Sequence, residues 1–200
     1  MNSSTLDLLT PKNSVFLLVD YQRNMFKGVG SGDRTIILHS AVAAAKAASI
    51  LKVPTVLTSI YPEGNGEFLK DLTDLFPKVK VIARKTQSFD AFEEKAVMGA
   101  VKATGRKKLV LSGLWTSMCF AYTAFHALRE GMDVYGLMDA AGDATSDAHK
   151  YGIKRMLQAG VVPITWETLT SEWMHDWLNP KAGELMKEVY HAYDVMLGMV

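Results

Sequence analysis

The chain has 200 residues, of which 48% are hydrophobic and 22% are charged, and its formal net charge is +1. This length and composition are typical of one globular domain with a well-formed core. The near-neutral charge argues against nucleic acid or an anionic membrane as a partner. The single cysteine excludes an intrachain disulfide and a multi-cysteine metal cluster.

No segment has the pattern of a targeting or membrane element. Residues 1–7 lack the basic and then apolar order of a signal peptide. The longest apolar runs, such as residues 15–19, are too short to span a bilayer. We therefore expect a cytoplasmic protein with no membrane partner.

Short apolar runs alternate with helical stretches from the beginning of the chain to residue 170. Strands are predicted at residues 15–19, 55–59, 79–82, 108–113, 134–137 and 161–165, and helices at 33–51, 90–103, 120–130 and 146–158. This alternation predicts an α/β fold with an open parallel sheet and helices on both faces. With no repeat or linker, we expect a single domain over residues 1–200, with its core at about 14–170 and a helical extension at 171–200.

Three chemically reactive side chains follow predicted strands. Asp20 comes directly after the first strand, Lys85 follows the third, and Cys119 follows the fourth. In open α/β sheets, ligand sites form at the carboxyl ends of the strands. Lys85 would stabilise a thiolate at Cys119, and Asp20 could accept the thiol proton.

Position alone leaves alternatives at each of these residues. Cys119 lies at a helix N-terminus, which lowers a cysteine pKa, but a small buried core thiol fits the position equally well. Asp20 could instead cap a helix or loop. Arg84 and Lys108 are basic alternatives to Lys85.

The three segments together resemble the isochorismatase-like cysteine hydrolase family, closest to its YcaC-type branch. The matching motifs are Val19-Asp20-Tyr21-Gln22-x-x-x-Phe26, Lys85-x-x-Ser88-x-x-x-Phe92 and Gly113-x-x-Thr116-x-x-Cys119. The sequences Gly-Leu-Trp-Thr at 113–116 and Trp-Glu-Thr-Leu at 166–169 most resemble those of the YcaC-type branch.

The resemblance implies a six-stranded parallel sheet and a catalytic triad. Asp20 would be the general base, Lys85 the electrostatic partner and Cys119 the nucleophile. It also implies a non-proline cis peptide just before Thr116, which would aim the backbone N–H groups of Thr116 and Cys119 at an oxyanion. The implied reaction is hydrolysis of a small amide-like or related C–N substrate through a thioester.

Aromatic side chains flank the expected triad and suggest an apolar pocket. Phe26 and Trp115 are the better candidates for substrate binding because they lie inside the matched motifs, and Gln22 joins them from the first motif. For Phe89 and Phe92, plain core packing is an equally good interpretation.

We expect no metal and no cofactor. Nicotinamidase-type relatives carry an Asp-x-His metal motif after the second strand, whereas residues 58–64 contain no histidine. The five histidines show no close ligand spacing. His126 is interpreted as structural or interfacial, and Asp139 resembles a recurring family aspartate that caps and orients its loop.

The C-terminal segment predicts self-association. Leu185, Val189, Tyr193 and Met196 recur at helical spacing, so one apolar helix face is available to a partner. Similarity to ring-forming YcaC-type proteins adds to the expectation of a homo-oligomer larger than a dimer. The alternative is that this helix folds back on its own sheet.

Two other functions stay open, a non-catalytic oligomeric ligand-binding module and a thiol redox protein.

Overall fold

Six parallel strands form one sheet in a computed structural model that describes residues 6–199. The spatial order is β3-β2-β1-β4-β5-β6. The strands are β1 (Ser14–Val19), β2 (Thr55–Ile60), β3 (Ile82–Arg84), β4 (Lys108–Gly113), β5 (Asp133–Leu137) and β6 (Val162–Ile164). The order reverses between β1 and β4, which is where open α/β sheets form their ligand crevice. The predicted fold class is confirmed.

Helices connect the strands and form the C-terminal region. They are α1 (Arg23–Lys27), α2 (Arg34–Ile50), α3 (Pro62–Asn65), α4 (Lys70–Thr73), α5 (Lys95–Ala103), α6 (Ala121–Arg129), α7 (Ser146–Ala159), α8 (Trp166–Met174), α9 (Ala182–Leu185) and α10 (Ala192–Leu197). A 3-10 turn spans Ala91–Glu93, and π-helical segments span Thr116–Phe120 and Met186–His191. Among these described helices, none is long and apolar enough to cross a membrane.

The two faces of the sheet bury separate apolar layers. On β1, Phe16 and Leu18 belong to the layer that includes α2 and α8, while Leu17 and Val19 belong to the layer that includes α5 and α6. Successive side chains of a strand point to opposite faces, so a strand covered on both faces is apolar throughout. This explains why the first strand has a continuous apolar sequence.

The third strand lies further along the chain than the sequence predicts. Residues 79–82 begin at the end of a turn, where the N–H of Val79 donates to the carbonyl of Phe76. Pairing with β2 begins only at Ile82, opposite Thr58, and continues to Arg84. The predicted boundary was wrong because local hydrophobicity does not show where the backbone joins the sheet.

The C-terminal segment packs largely on its own chain, so the expected free apolar face is wrong for most of its length. Trp173, Leu185 and Val189 are buried, and the ring centroid of Tyr193 lies 4.5 Å from that of Trp166. Their packing surface includes α2, whose buried side is mostly alanine and so permits close approach. Residues 1–5, where the absence of a signal peptide was predicted, Val200, and the side chains of Met196 and Leu197 lie outside the described part.

Candidate active site

Asp20 lies where β1 ends and the chain turns sharply. Its backbone has a positive φ of 60°, and its N–H donates to the carbonyl of Thr58 on β2 at 2.9 Å. Aspartate tolerates this left-handed conformation better than most residues. The side chain is fully buried, so its charge needs a partner.

That partner is Arg84, the last residue of β3. Its Nη1 donates to Asp20 Oδ1 at 2.9 Å and its Nη2 to Oδ2 at 2.7 Å, and neither side chain is exposed. The Nε of Arg84 donates to the carbonyl of Ser88 at 3.1 Å. The pair is therefore bidentate, and the loop after β3 holds the guanidinium in place.

The structure corrects the predicted position of Lys85. This side chain is exposed, and its backbone N–H is bound by Glu94 Oε2 at 2.8 Å. Side chains alternate in direction along an extended chain, so the inward position of Arg84 leaves Lys85 facing outward. Lys108, the other basic alternative, lies at the first position of β4 and contacts Tyr135 Oη.

Cys119 lies in the π-helical segment Thr116–Phe120 that follows β4, and it is 2% exposed. Its thiol forms a side-chain hydrogen bond with Asp20. The structure thus brings together Asp20 and Cys119 as the sequence predicts, and adds Arg84 in place of Lys85.

The electrostatics of the thiol differ from the sequence prediction. Burial raises the pKa of Cys119 well above its usual value, and the negative charge of Asp20 acts in the same direction. Arg84 and a hydrogen bond with the backbone of Trp115 only partly oppose this rise. The predicted low pKa was wrong because the helix terminus was considered without the cost of burying a thiolate.

The pKa of Asp20 is also raised. Burial is the largest cause, and the charge and hydrogen bonds of Arg84 work against it. A carboxylate with a raised proton affinity is a stronger base than one in water. The site therefore favours a neutral thiol beside a carboxylate that can take its proton.

The backbone near the thiol also differs from the prediction in two details. The cis peptide bond joins Leu114 and Trp115, one bond before the expected position. The N–H of Thr116 donates to the carbonyl of Gly142 at 3.0 Å, so it is occupied. The N–H that bonds the thiol sulfur belongs to Trp115, while that of Cys119 lies within the π-helical segment.

Of the three predicted substrate-binding residues, Trp115 and Phe26 are half-buried and Gln22 is buried. The indole N–H of Trp115 donates to the carbonyl of Met25 at 3.2 Å. Gln22 accepts from the N–H of Ile60 and donates to the carbonyl of Gly66. Gln22 is therefore used to connect two loops at the rim, rather than left free for a ligand.

The two phenylalanines left open by the sequence have different surroundings. Phe92 is buried and belongs to the apolar layer that contains Cys119, whereas Phe89 is 54% exposed. Core packing is thus the observed role of Phe92. Phe89 lies on the surface.

The sequence missed Asp143, which anchors the thiol turn. Its Oδ2 accepts from the N–H of Ser117 at 2.7 Å, and its own N–H donates to Ser31 Oγ at 2.9 Å. Asp139, the predicted loop aspartate, instead accepts from the N–H of Trp166 at the start of α8. Asp139 and Asp143 lie four residues apart, and nothing in the sequence distinguishes them. The sequence alone therefore could not show which aspartate anchors the thiol turn.

Two further contacts hold the same turn, and both come from α7. His149 Nδ1 lies 2.8 Å from the hydroxyl of Thr116, and burial lowers the pKa of His149. A Cβ at Gly152 would lie 2.8 Å from Ser117 Cα, so only glycine allows this approach. The sequence signal that could have identified this contact is an isolated glycine inside a predicted helix.

His126 is confirmed in a structural interaction. Its Nδ1 lies 2.7 Å from Asp90 Oδ2, and Asp90 also caps the 3-10 turn through the N–H of Phe92. Among residues 6–199, no group of three or more His, Cys, Asp or Glu side chains is placed to hold a metal ion.

Comparison with known proteins identifies the family. Residues 14–168 match the isochorismatase domain. The probable hydrolase YcaC of Escherichia coli is 31% identical over 176 residues, which cover 88% of this chain and 84% of that protein. Isochorismatase domain-containing protein 2 of Danio rerio is 28% identical over 186 residues, covering 92% and 90%.

Solved structures show the same likeness over nearly the whole chain. YcaC from Pseudomonas aeruginosa, in a structure with hexane-2,5-diol and covalent acrylamide, is 29% identical with a TM-score of 0.89 and 98% of each chain covered. The YcaC gene product of Escherichia coli, an octameric hydrolase of unknown specificity, is 30% identical with a TM-score of 0.89 and the same coverage. This chain belongs to the isochorismatase domain family.

Proposed function

We propose that the protein is a cysteine-dependent hydrolase of small amides or related C–N substrates. The observation that carries the proposal is the buried thiol of Cys119, hydrogen-bonded to a carboxylate whose two oxygens are both held by Arg84. A positioned base beside a nucleophile is the arrangement that covalent catalysis requires.

The first half of the reaction transfers an acyl group to the enzyme. Asp20 takes the proton of Cys119 as the sulfur attacks the acyl carbon. The resulting oxyanion accepts from backbone N–H groups, for which we propose that of Cys119 and that of Trp115, which bonds the sulfur before the attack and is released as the sulfur bonds carbon. Each such donor contributes about 3 kcal/mol in known cases. The C–N bond then breaks, and Asp20 returns its proton to the leaving nitrogen, giving an amine and a thioester.

The second half restores the enzyme. Asp20 takes a proton from water as the water oxygen attacks the thioester carbon. The C–S bond breaks, the product is a carboxylic acid, and the proton on Asp20 returns to the sulfur. The role of Arg84 is to orient Asp20 and balance its charge.

Two observations support this choice over the other functions. A YcaC structure contains covalent acrylamide, an electrophile that reacts with nucleophilic side chains, which supports a reactive nucleophile over a non-catalytic module. The raised pKa of Cys119 works against a redox role, since oxidation follows thiolate character and exposure.

Mass spectrometry of the intact protein after incubation with a panel of small amides tests the proposal. A hydroxylamine-sensitive acyl adduct on Cys119 is expected, and Cys119→Ala should give neither adduct nor turnover. Amide hydrolysis that persists in Cys119→Ala would overturn the proposal. Turnover should also survive exhaustive EDTA treatment, since we propose no metal.

We further propose that the protein assembles into a homo-oligomer larger than a dimer. The octameric YcaC structure supports this, as do exposed apolar side chains at both ends of the chain, with Leu6 at 89%, Trp177 at 68% and Leu178 at 90% exposure. Light scattering at micromolar concentration tests it, and a 22 kDa species would contradict it.

A further inference from the structure

A groove of about 320 Å³ lies along α6, the helix that follows Cys119. Its floor includes Tyr122 and Phe125 of α6. One wall is the segment 88–93, which carries Glu93, and the opposite wall includes Arg155 of α7. We call this surface the α6 groove.

The two walls carry side chains of opposite charge. The guanidinium of Arg155 lies 4.8 Å from the ring centroid of Phe125 and 5.9 Å from that of Tyr122. Within residues 6–199, neither Arg155 nor Glu93 forms an ion pair. Both side chains are on exposed residues.

The neighbouring charges of the groove are already engaged. Asp90 is paired with His126 at 2.7 Å, and Arg129 lies 3.9 Å from the same carboxylate. The unmatched charges are therefore one carboxylate on the first wall and one guanidinium on the second. Phe89, which lines the first wall, is 54% exposed and adds apolar surface of the kind found in interfaces.

We propose that the α6 groove binds the α6 groove of a second copy of this chain, with Glu93 of each copy against Arg155 of the other. A two-fold axis that runs along the groove, between its walls, exchanges them, so each acidic wall meets a basic one. Closed two-fold contacts need such a self-complementary surface. The inference rests on the proposed assembly and names one of its surfaces.

This contact would reach the candidate active site through the first wall. The carbonyl of Ser88 accepts from Arg84 Nε, and the N–H of Ala91 donates to Thr123 Oγ1 at 2.9 Å. Thr123 Oγ1 in turn donates to the carbonyl of Cys119 at 2.7 Å. A copy bound in the groove therefore rests on the segment that holds both Arg84 and the turn of Cys119.

Sedimentation velocity of charge-reversed full-length variants tests the contact. Glu93→Arg and Arg155→Glu should each produce a smaller assembly, with self-association weakened at least about tenfold, because like charges then face each other twice. Mixing the two variants should restore the wild-type species, since Arg at position 93 then meets Glu at position 155. Lys154→Glu on the same helix and Glu63→Arg away from the groove are matched controls that should sediment as wild type.

The outcomes separate this inference from the proposed assembly. A monomeric wild type would refute both. A wild-type oligomer that persists in both single variants would refute the groove alone. Smaller species that mixing does not restore would also refute it, because the charges would then act within one copy or on another ligand. If a single variant fails to fold by circular dichroism, the double variant E93R/R155E decides, and it should assemble as wild type.

Discussion

The guanidinium of Arg84 donates to both carboxylate oxygens of Asp20, at 2.9 and 2.7 Å, and neither side chain reaches solvent. A lysine amine acts as a point charge and cannot reproduce this planar, two-bond geometry. The orientation of the carboxylate toward Cys119 therefore depends on an arginine at position 84.

Arg84→Met should abolish amide turnover and destabilise the fold by about 3–5 kcal/mol, because it leaves a buried carboxylate unpaired. Lys85→Met is the matched control at the neighbouring exposed position. It should keep turnover and change stability by no more than about 0.5 kcal/mol. Urea unfolding and amide turnover measure both effects, and a loss of activity in Lys85→Met with a native Arg84→Met would reverse the assignment.

Asp20→Asn should reduce turnover by about 10²–10⁴-fold, since the amide cannot accept the thiol proton. The same variant should lower the pKa of Cys119, because the charge of Asp20 helps to raise it. Iodoacetamide labelling across pH measures this shift, and wild type should label with a midpoint above the usual range of a free thiol. A wild-type midpoint below about 8.5 would contradict the structure.

Asp139 should make the fold less stable as the pH rises. Burial raises the pKa of this half-buried carboxyl to about 6. The folded state then binds a proton more tightly than the unfolded state, whose value is 3.8. Its favourable contribution is present at low pH and is lost as the pH increases through about 6.

Asp139→Asn isolates this effect, because the amide is uncharged at every pH. The free energy of unfolding of wild type, relative to this variant, should decrease between pH 4 and pH 7. Urea titrations at several pH values measure the difference. A difference that is constant over this range would show that Asp139 titrates normally.

Gly152→Ala should disturb the turn of Cys119 from outside the site. The new Cβ would lie 2.8 Å from Ser117 Cα, and relieving this overlap costs about 1–3 kcal/mol. Both the turnover and the free energy of unfolding should decrease in this variant. Gly99→Ala, in α5, meets no atom within 4 Å and should be neutral or stabilising by up to about 1 kcal/mol. Equal effects of the two substitutions would show that helix propensity alone is responsible.

The sequence predicts the sheet well, except for the bounds of β3, because the other strands have clear local signals. Apolar runs bounded by polar residues mark β1 and β4, and the two strand ends that carry Asp20 and Cys119 follow from them. The cation was harder to assign, because Arg84 and Lys85 are adjacent and a one-residue change in strand register exchanges their directions. The thiol pKa could not be predicted at all, since it depends on burial produced by several distant segments.

The residues that hold the turn of Cys119 could not be predicted from the sequence either, because they also lie far from it in the chain. Asp143, His149 and Gly152 act through contacts with Thr116 and Ser117, which lie 26 or more residues away in the chain. Nothing local distinguishes them from ordinary loop or helix residues. Only the packing of α7 and of the loop before it against the turn reveals their part in placing Cys119.

Thr123 accepts a hydrogen bond from the N–H of Ala91 and donates one to the carbonyl of Cys119, and these two bonds bear on how the site could change during evolution. Cys119 bonds Asp20, Asp20 bonds Arg84, Arg84 bonds Ser88, and the chain returns through Ala91 and Thr123 to Cys119. The nucleophile, the base and the cation therefore belong to one closed network of hydrogen bonds and backbone segments. Arg84 can therefore affect Cys119 both through Asp20 and through the segment whose Ala91 bonds Thr123, so we expect that an exchange of the cation needs a compensating change elsewhere in this network.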